Sequence, residues 1–213
     1  MTTLLIIRHG QSMGNLEDRF IGQTDSPLSP LGKTQAEITA SYIAENYKID
    51  KIYSSDLSRA FDTGKKLSEK TGAEITIDER LREIYAGEWE GLFFKNIIEN
   101  YKEDFGLWME DVGKSTCTGG ESVKSVYNRA AEVLMEIAKE NDGKVIAVTT
   151  HATVIRSMLC YINGIPAENM KESKTWVSNA SVSVIKYDGK FEIEAESFDK
   201  HLEGYITKLP EDV

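Results

Sequence analysis

The sequence predicts an α/β fold, namely a three-layer α/β/α sandwich with a mostly parallel central sheet. Two continuous apolar runs, residues 3–7 and 144–149, are typical of strands that are buried on both faces. Amphipathic helical segments separate the strand segments along the chain. This alternation is typical of parallel sheets built from strand–helix–strand units.

The first half of the chain contains two predicted helices and two predicted strands. After the strand at 3–7 comes a turn at 29–32, and apolar residues then recur at helical steps of three and four from Ala36 to Tyr47. Residues 51–54 form a short strand candidate. Residues 56–70 form a helix candidate that Gly72 closes. Residues 74–91 alternate short strand-like pieces with turns.

The second half begins with the less regular stretch 92–119, in which short helices are expected around Ile97 and Leu107. It continues with a helix at 121–139, the strand at 144–149 and a helix at 152–162. Residues 175–186 and 190–197 predict a β-hairpin around an Asp-Gly turn. We therefore expect one domain over residues 1–213, with a lid or insertion at about 92–119.

Composition and charge restrict the possible partners and the cellular location. The 213 residues carry 25 basic and 35 acidic side chains, a net charge of −10, which argues against binding to nucleic acid or to an anionic membrane. The apolar run near the N-terminus is too short for a signal peptide, and no run approaches a membrane span. Cys117 and Cys160 lack a metal-site or CxxC spacing and are expected to be free thiols. These features predict a cytoplasmic protein, and they leave its oligomeric state, monomer or dimer, open.

Polar side chains follow three of the predicted strands. Arg8 and His9 follow the first strand, Arg59 lies in the helix after the strand at 51–54, and His151 follows the strand at 144–149. Sites in parallel α/β sheets form beyond the carboxyl ends of the strands. We therefore expect these four residues to meet at one edge of the sheet.

Two arginines and two histidines in one crevice would repel each other unless an anion lay among them. A phosphoryl group fits, because the guanidinium fork matches phosphate oxygens and helix N-termini add N–H donors. A metal site is the competing reading. It is disfavoured, because no carboxylate pair or ExxH spacing accompanies the histidines and the arginines would repel a cation.

A nucleophile and a proton donor must complete a phosphoryl-transfer site. The Walker A, GxSxG and GxGxxG patterns are absent from the sequence, which leaves the imidazole of His9 as the candidate nucleophile. Nearby arginines should lower the pKa of His9 and keep the imidazole neutral near pH 7. Glu83, Glu88 or Glu90 could each be the acid, and the spacing of Glu83 from Leu81 favours an inward direction.

These residues together resemble the histidine phosphatase superfamily, whose fold is called phosphoglycerate mutase-like. Five motifs occur in the order of the family and span almost the whole chain. They are the RHG-x4-N signature at 8–15 with the following segment at 20–36, the second arginine motif at 54–63, the acid motif at 81–91, Gly-Gly-Glu-Ser at 119–122 and Thr-His at 150–151.

The resemblance implies a role for each matching residue. His9 would be phosphorylated, and Glu83 would protonate the leaving group and then assist the attacking water. Arg8, Arg59 and His151 would hold the phosphoryl oxygens. Further contacts to the phosphate or the pocket would come from Asn15, Gly22, Gln23, Ser122 and Ala152. The family usually has glycine at the position of Ala152. The resemblance implies no metal and no organic cofactor. It also implies that the substrates are small phosphate esters.

Two other functions stay open at this stage. A cofactor-dependent phosphoglycerate mutase would be expected to carry paired arginines after the acid motif, but residues 93–117 contain no arginine and no histidine. A non-catalytic phosphate-binding or regulatory module would need no complete set of catalytic residues. The sequence therefore favours a phosphomonoesterase, with sugar phosphates, phosphoglycerates, α-ribazole phosphate, nucleotides and phosphoproteins as candidate substrates.

Overall fold

A computed structural model describes residues 1–207. Its eight strands are β1 (Thr2–Arg8), β2 (Arg19–Phe20), β3 (Lys51–Ser54), β4 (Ile75–Ile77), β5 (Leu92–Phe93), β6 (Val145–Thr150), β7 (Val182–Tyr187) and β8 (Phe191–Phe198). Its seven α-helices are α1 (Met13–Leu16), α2 (Pro30–Asn46), α3 (Ser58–Thr71), α4 (Phe94–Asn100), α5 (Lys102–Glu110), α6 (Val123–Glu140) and α7 (Ala152–Ile162).

Six strands form the central sheet in the order β4-β3-β6-β1-β7-β8. The first four are parallel to one another, whereas β7 and β8 continue the sheet in antiparallel pairs. β1 and β6 are adjacent, so that Arg8 pairs with Thr150 and the two strands end side by side. The predicted fold class is confirmed.

Side chains alternate across the sheet and divide the core into two layers. Leu4 and Ile6 of β1 face α6 and α7, and Leu5 and Ile7 face α2 and α3. All four are at most 1% exposed. A strand covered on both faces must be apolar at every position, which is the physical reason for its continuous apolar run.

The predicted lid segment contains α4 and α5. Ile97 and Phe105 are buried against the core, where Phe105 packs edge-on against Trp89. Phe20 of β2 packs edge-on against Trp89 and Trp108, and β2 pairs with β5 beneath the two helices. The aromatic residues of this segment therefore anchor it to the core, while α5 reaches the functional cavity. The division into one domain with a lid stays a prediction.

Two element boundaries differ from the sequence-based prediction. Residues 30–32 form the first turn of α2 and not a separate turn, because the Ser29 hydroxyl accepts the Gly32 amide and Pro30 occupies the first helical position. The strand predicted from residue 175 begins only at Val182. Ala180 has a φ of 60°, a left-handed conformation that interrupts a strand.

Within residues 1–207, we find no helix that is both long and apolar enough to cross a membrane. Cys117 and Cys160 are buried and free.

The start of α2 is pressed against the loop that follows β1. A methyl group added at Gly32 would lie 1.9 Å from the carbonyl oxygen of Gln11, so the backbone of one segment would have to move. We expect Gly32→Ala to lower the free energy of unfolding by about 2 kcal/mol or more, because overpacking here meets rigid backbone. Urea denaturation measures this change.

Gly106, in the middle of α5, provides the matched control. An added methyl group would meet no atom within 4 Å there. Since alanine favours a helix over glycine by about 1 kcal/mol, Gly106→Ala should leave stability unchanged or raise it. Equal losses in the two variants would contradict the close approach at Gly32.

Candidate active site

The site lies where β1 and β6 end together. The backbone N–H of His9 donates to the Thr150 carbonyl at 3.0 Å, which extends the pairing one residue beyond the strand. The His9 ring is almost buried, and its Nδ1 lies 2.7 Å from the Gly10 carbonyl oxygen. A carbonyl oxygen can only accept, so Nδ1 carries the proton. Nε2 therefore keeps its lone pair, as a nucleophile requires.

His151 caps α7 and is completely buried against His9, with 5.1 Å between the ring centroids. Its Nε2 lies 2.9 Å from the Ser55 hydroxyl, and its Nδ1 has no hydrogen-bond partner within residues 1–207. A buried ring nitrogen without a partner is costly, and this one lies beside the proposed nucleophile.

Burial lowers the pKa of both His9 and His151 well below the usual value of 6.5, and the positive charge of Arg59 lowers it further. Arg8 contributes in the same direction. Desolvation and neighbouring cations both oppose protonation of an imidazole. Both rings are therefore neutral at pH 7, which is the state expected for a nucleophilic His9.

Arg8 and Arg59 are held by backbone carbonyls and not by carboxylates. Arg8 Nη1 donates to Val177 O at 2.6 Å, while Arg59 donates to Gly22 O at 2.6 Å and to Thr24 O at 3.1 Å. Burial lowers the pKa of Arg8 to about 10, so its guanidinium stays charged at neutral pH. Two buried guanidiniums that face neutral carbonyls keep their charge available to an anion.

Glu83 is the only one of the three candidate acids that lines the cavity described below. Its carboxylate accepts the Ile84 N–H at 2.9 Å and the Thr153 N–H, in the first turn of α7, at 3.3 Å. The sequence spacing suggested that Glu83 points inward from a strand, but Glu83 does not lie on a strand. It follows the 3₁₀ turn Glu79–Leu81 in irregular backbone.

The other two glutamates have different surroundings. Glu88 is exposed. The carboxylate of Glu90 accepts the backbone N–H groups of Gln23, Thr24 and Ala86 at 2.6 to 2.8 Å. Glu90 thereby fixes the loop whose carbonyls hold Arg59.

A second brace fixes the segment that carries Glu83. Arg129 of α6 pairs with Glu121 and donates to the backbone carbonyls of Arg80, Arg82 and Glu83 at 2.6 to 3.1 Å. Glu121 of the Gly-Gly-Glu-Ser motif therefore orients Arg129, and Arg129 positions the segment that carries Glu83. The sequence did not show this structural role.

The site contains a cavity of about 240 Å³. Seven of the predicted site residues line it: Arg8, His9, Asn15, Gly22, Arg59, Glu83 and Ala152. Further lining residues of the cavity lie in the predicted lid segment, in α7 and in the segment before β7. They include Phe94, Trp108, Met109, Thr153, Arg156 and Trp176.

Three of the predicted site residues are not among those that line this cavity: Gln23, Ser122 and His151, the last of which lies completely buried against His9. The Gln23 side chain instead donates to the Glu83 carbonyl at 3.0 Å, and the Ser122 hydroxyl accepts the Ser125 N–H as the N-cap of α6. Both side chains therefore have structural partners. The sequence shows that Gln23 and Ser122 belong to the motifs, but it does not show the direction of their side chains.

Sequence reasoning missed two cationic residues of the cavity wall, Arg19 and Arg156. Arg156 was recoverable in principle, because it follows Ala152 by four residues on a predicted helix and therefore shares its face. Arg19 lies on the two-residue strand β2, which is too short to show an alternating hydrophobic pattern in the sequence.

A family model described as histidine phosphatase superfamily (branch 1) matches residues 4–197. Phosphoserine phosphatase 1 of Hydrogenobacter thermophilus is 36% identical over 188 residues, which cover 87% of this chain and 86% of the relative. Glucosyl-3-phosphoglycerate phosphatase of Mycobacterium tuberculosis is 35% identical over 175 residues, which cover 78% of this chain and 77% of the relative. The solved structure of YhfR from Bacillus stearothermophilus superposes with a TM-score of 0.90 at 28% identity, covering 95% of this chain and all of that one.

The lowered histidine pKa values predict neutral rings in mildly acidic solution. At pH 6 an unperturbed histidine with a pKa of 6.5 is about three-quarters protonated. We expect ¹H–¹⁵N long-range NMR spectra to show His9 and His151 neutral at that pH. Arg59→Gln should raise the pKa of His9 toward 6.5, because it removes the nearby cation. A protonated His9 at pH 6 in the unmodified protein would contradict this electrostatic picture.

Proposed function

Since the chain belongs to the histidine phosphatase superfamily (branch 1) and is a phosphatase of that family, we propose that it hydrolyses small phosphate monoesters through a phosphohistidine on His9. The resemblance inferred from the five motifs is confirmed by the family match. The observation that carries the mechanism is the pair of buried guanidiniums beside a neutral imidazole whose Nε2 is free.

Binding begins with the phosphoryl group between Arg8 and Arg59. Both side chains already hold backbone carbonyls, so little side-chain freedom is lost when the anion arrives. We assign a third phosphoryl oxygen to His151, whose Nδ1 has no hydrogen-bond partner within residues 1–207. These groups stabilise the charge that develops on the oxygens during transfer.

Transfer proceeds as His9 Nε2 attacks phosphorus and the bond from phosphorus to the ester oxygen breaks. Glu83, in its protonated form, gives its proton to the departing oxygen, which leaves as an alcohol. The resulting carboxylate then takes a proton from water as that water attacks phosphorus. The phosphorus–nitrogen bond breaks, so that inorganic phosphate leaves and His9 returns to its neutral state.

The substrate range follows from the cavity. Its small size and the apolar walls from the lid suit an organic ester of low molecular weight. O-phosphoserine is the first substrate to test, since a 36% identical relative is a phosphoserine phosphatase. A cytoplasmic location stays a prediction, which the two buried free thiols support.

His9→Ala should abolish turnover of p-nitrophenyl phosphate, with a loss of at least about a thousandfold in kcat, because no other nucleophile replaces the imidazole. Rapid quenching of the unmodified protein should trap a phosphoenzyme that acid hydrolyses and base does not. His201→Gln is the control, since His201 stacks on Tyr42 and Phe198 and is not among the residues that line the cavity. It should retain activity.

Two outcomes would contradict this assignment. Full activity in His9→Ala would remove the proposed nucleophile, and an acid-stable phosphoenzyme would point to serine or threonine. Interconversion of phosphoglycerates that requires bisphosphoglycerate would favour the mutase alternative.

Glu83→Gln should distinguish a proton donor from a residue that only shapes the cavity. We expect kcat/KM to fall by about 10² to 10⁴ for an alkyl phosphate, whose alkoxide needs a proton to leave. The loss should be much smaller for p-nitrophenyl phosphate, which releases a stable anion. Glu88→Gln, in an exposed side chain, should affect both esters equally and slightly. Equal large losses on both esters in Glu83→Gln would exclude the acid role.

A further inference from the structure

One arginine of the cavity wall has neither an acidic partner nor a carbonyl partner within residues 1–207. Arg156 lines the cavity, and within residues 1–207 its Nε is buried without a hydrogen-bond partner. Lys and Arg side chains are rarely buried without a counter-charge, since desolvating a cation is costly. Burial also lowers the pKa of Arg156 from its usual value of 12.5. A ligand that carries a negative charge would supply the missing partner.

The other arginines of the cavity differ from Arg156 because their guanidiniums donate to backbone carbonyls, although the Nε of Arg8 is also buried without a partner within residues 1–207. Arg8 and Arg59 hold backbone carbonyls beside the nucleophile and serve the phosphoryl group. Arg19 pairs with Glu17 at 2.8 Å, donates to the Gly91 carbonyl and lies over the Phe93 ring at 3.8 Å. Arg156 is therefore the cation of the cavity with no role in the mechanism and no neutralising neighbour.

The position of Arg156 on α7 sets its distance from the reacting end. His151 caps this helix, and Ala152 and Arg156 lie four residues apart on one face, which is a rise of about 6 Å along the helix axis. Helical side chains lean toward the N-terminus of their helix, so the guanidinium leans back toward the phosphoryl site. A group that contacts it lies only a few bonds from the phosphorus.

We propose that Arg156 binds a carboxylate of the substrate, so that the preferred substrates are compact phosphomonoesters with a carboxylate a few bonds from the ester oxygen. This inference rests on the proposed function of the same cavity. The guanidinium fork matches a carboxylate bidentately. A second phosphoryl group is a poorer fit, because the cavity of about 240 Å³ also has to hold the first.

This assignment changes one expectation from the sequence. A substrate with both a phosphate and a carboxylate was expected to lack a partner, because residues 93–117 contain no arginine. The cation comes instead from α7, which lines the same cavity as Trp108 and Met109.

A matched pair of esters tests the proposal, since O-phosphoserine and O-phosphoethanolamine differ only in the carboxylate. The unmodified protein should prefer phosphoserine in kcat/KM. Arg156→Gln should reduce that preference by about 10- to 100-fold, as expected for the loss of a charged hydrogen bond. Arg156→Lys, which keeps the charge and loses the fork, should give an intermediate preference. Arg19→Gln is the matched control and should leave the ratio unchanged.

The outcomes separate this inference from the function on which it rests. If the unmodified protein hydrolysed neither ester nor p-nitrophenyl phosphate, the proposed function itself would fail. If it hydrolysed them without preferring phosphoserine, or if Arg156→Gln lowered kcat/KM equally for both, the carboxylate role would be wrong and the phosphatase function would stand. A preference for sugar bisphosphates over carboxylated esters would assign Arg156 to a second phosphoryl group.

Discussion

The structure depends on keeping two guanidiniums buried, charged and free of carboxylate partners beside two neutral histidines. A buried cation that pairs with an acid would be neutralised and would have little affinity left for a phosphoryl group. Arg8 and Arg59 instead bond to the carbonyls of Val177, Gly22 and Thr24, which orient them without removing their charge. Burial, and after it the unfavourable proximity of these cations, lowers the pKa of His9 and so keeps the proposed nucleophile neutral.

The nearby acids accept backbone N–H groups and form no ion pair with Arg8 or Arg59 within residues 1–207, although the negative charge of Glu83 still raises the pKa of both arginines. Glu90 accepts three such groups and fixes the loop that holds Arg59, and Glu83 accepts two and remains in the cavity. Glu121 is the exception, because it pairs with Arg129, and that arginine is used to brace the Glu83 segment. Each acid thus supports a different part of one site.

The parts that the sequence predicts are those fixed by local rules. Buried strands must be apolar throughout, and parallel strands must end at one edge, so the placement of Arg8, His9 and His151 follows from the pattern. The direction of Glu83 does not, since it depends on a 3₁₀ turn and on the brace from α6. Arg156 follows in part, because its spacing of four residues from Ala152 places both on one face of α7, whereas the docking of α7 decides that this face meets the cavity.

The net charge of −10 constrains which anions reach this site. At physiological ionic strength the Debye length is about 8 Å, so the acidic surface and the cationic crevice act over different ranges. A small ester meets the arginines only after it has entered the cavity, where little screening solvent remains. A large polyanion would stay in contact with the acidic surface outside. Under the proposed function, this charge distribution favours small monoesters over large polyanions, and a further cation inside the cavity would distinguish among them without attracting nucleic acid.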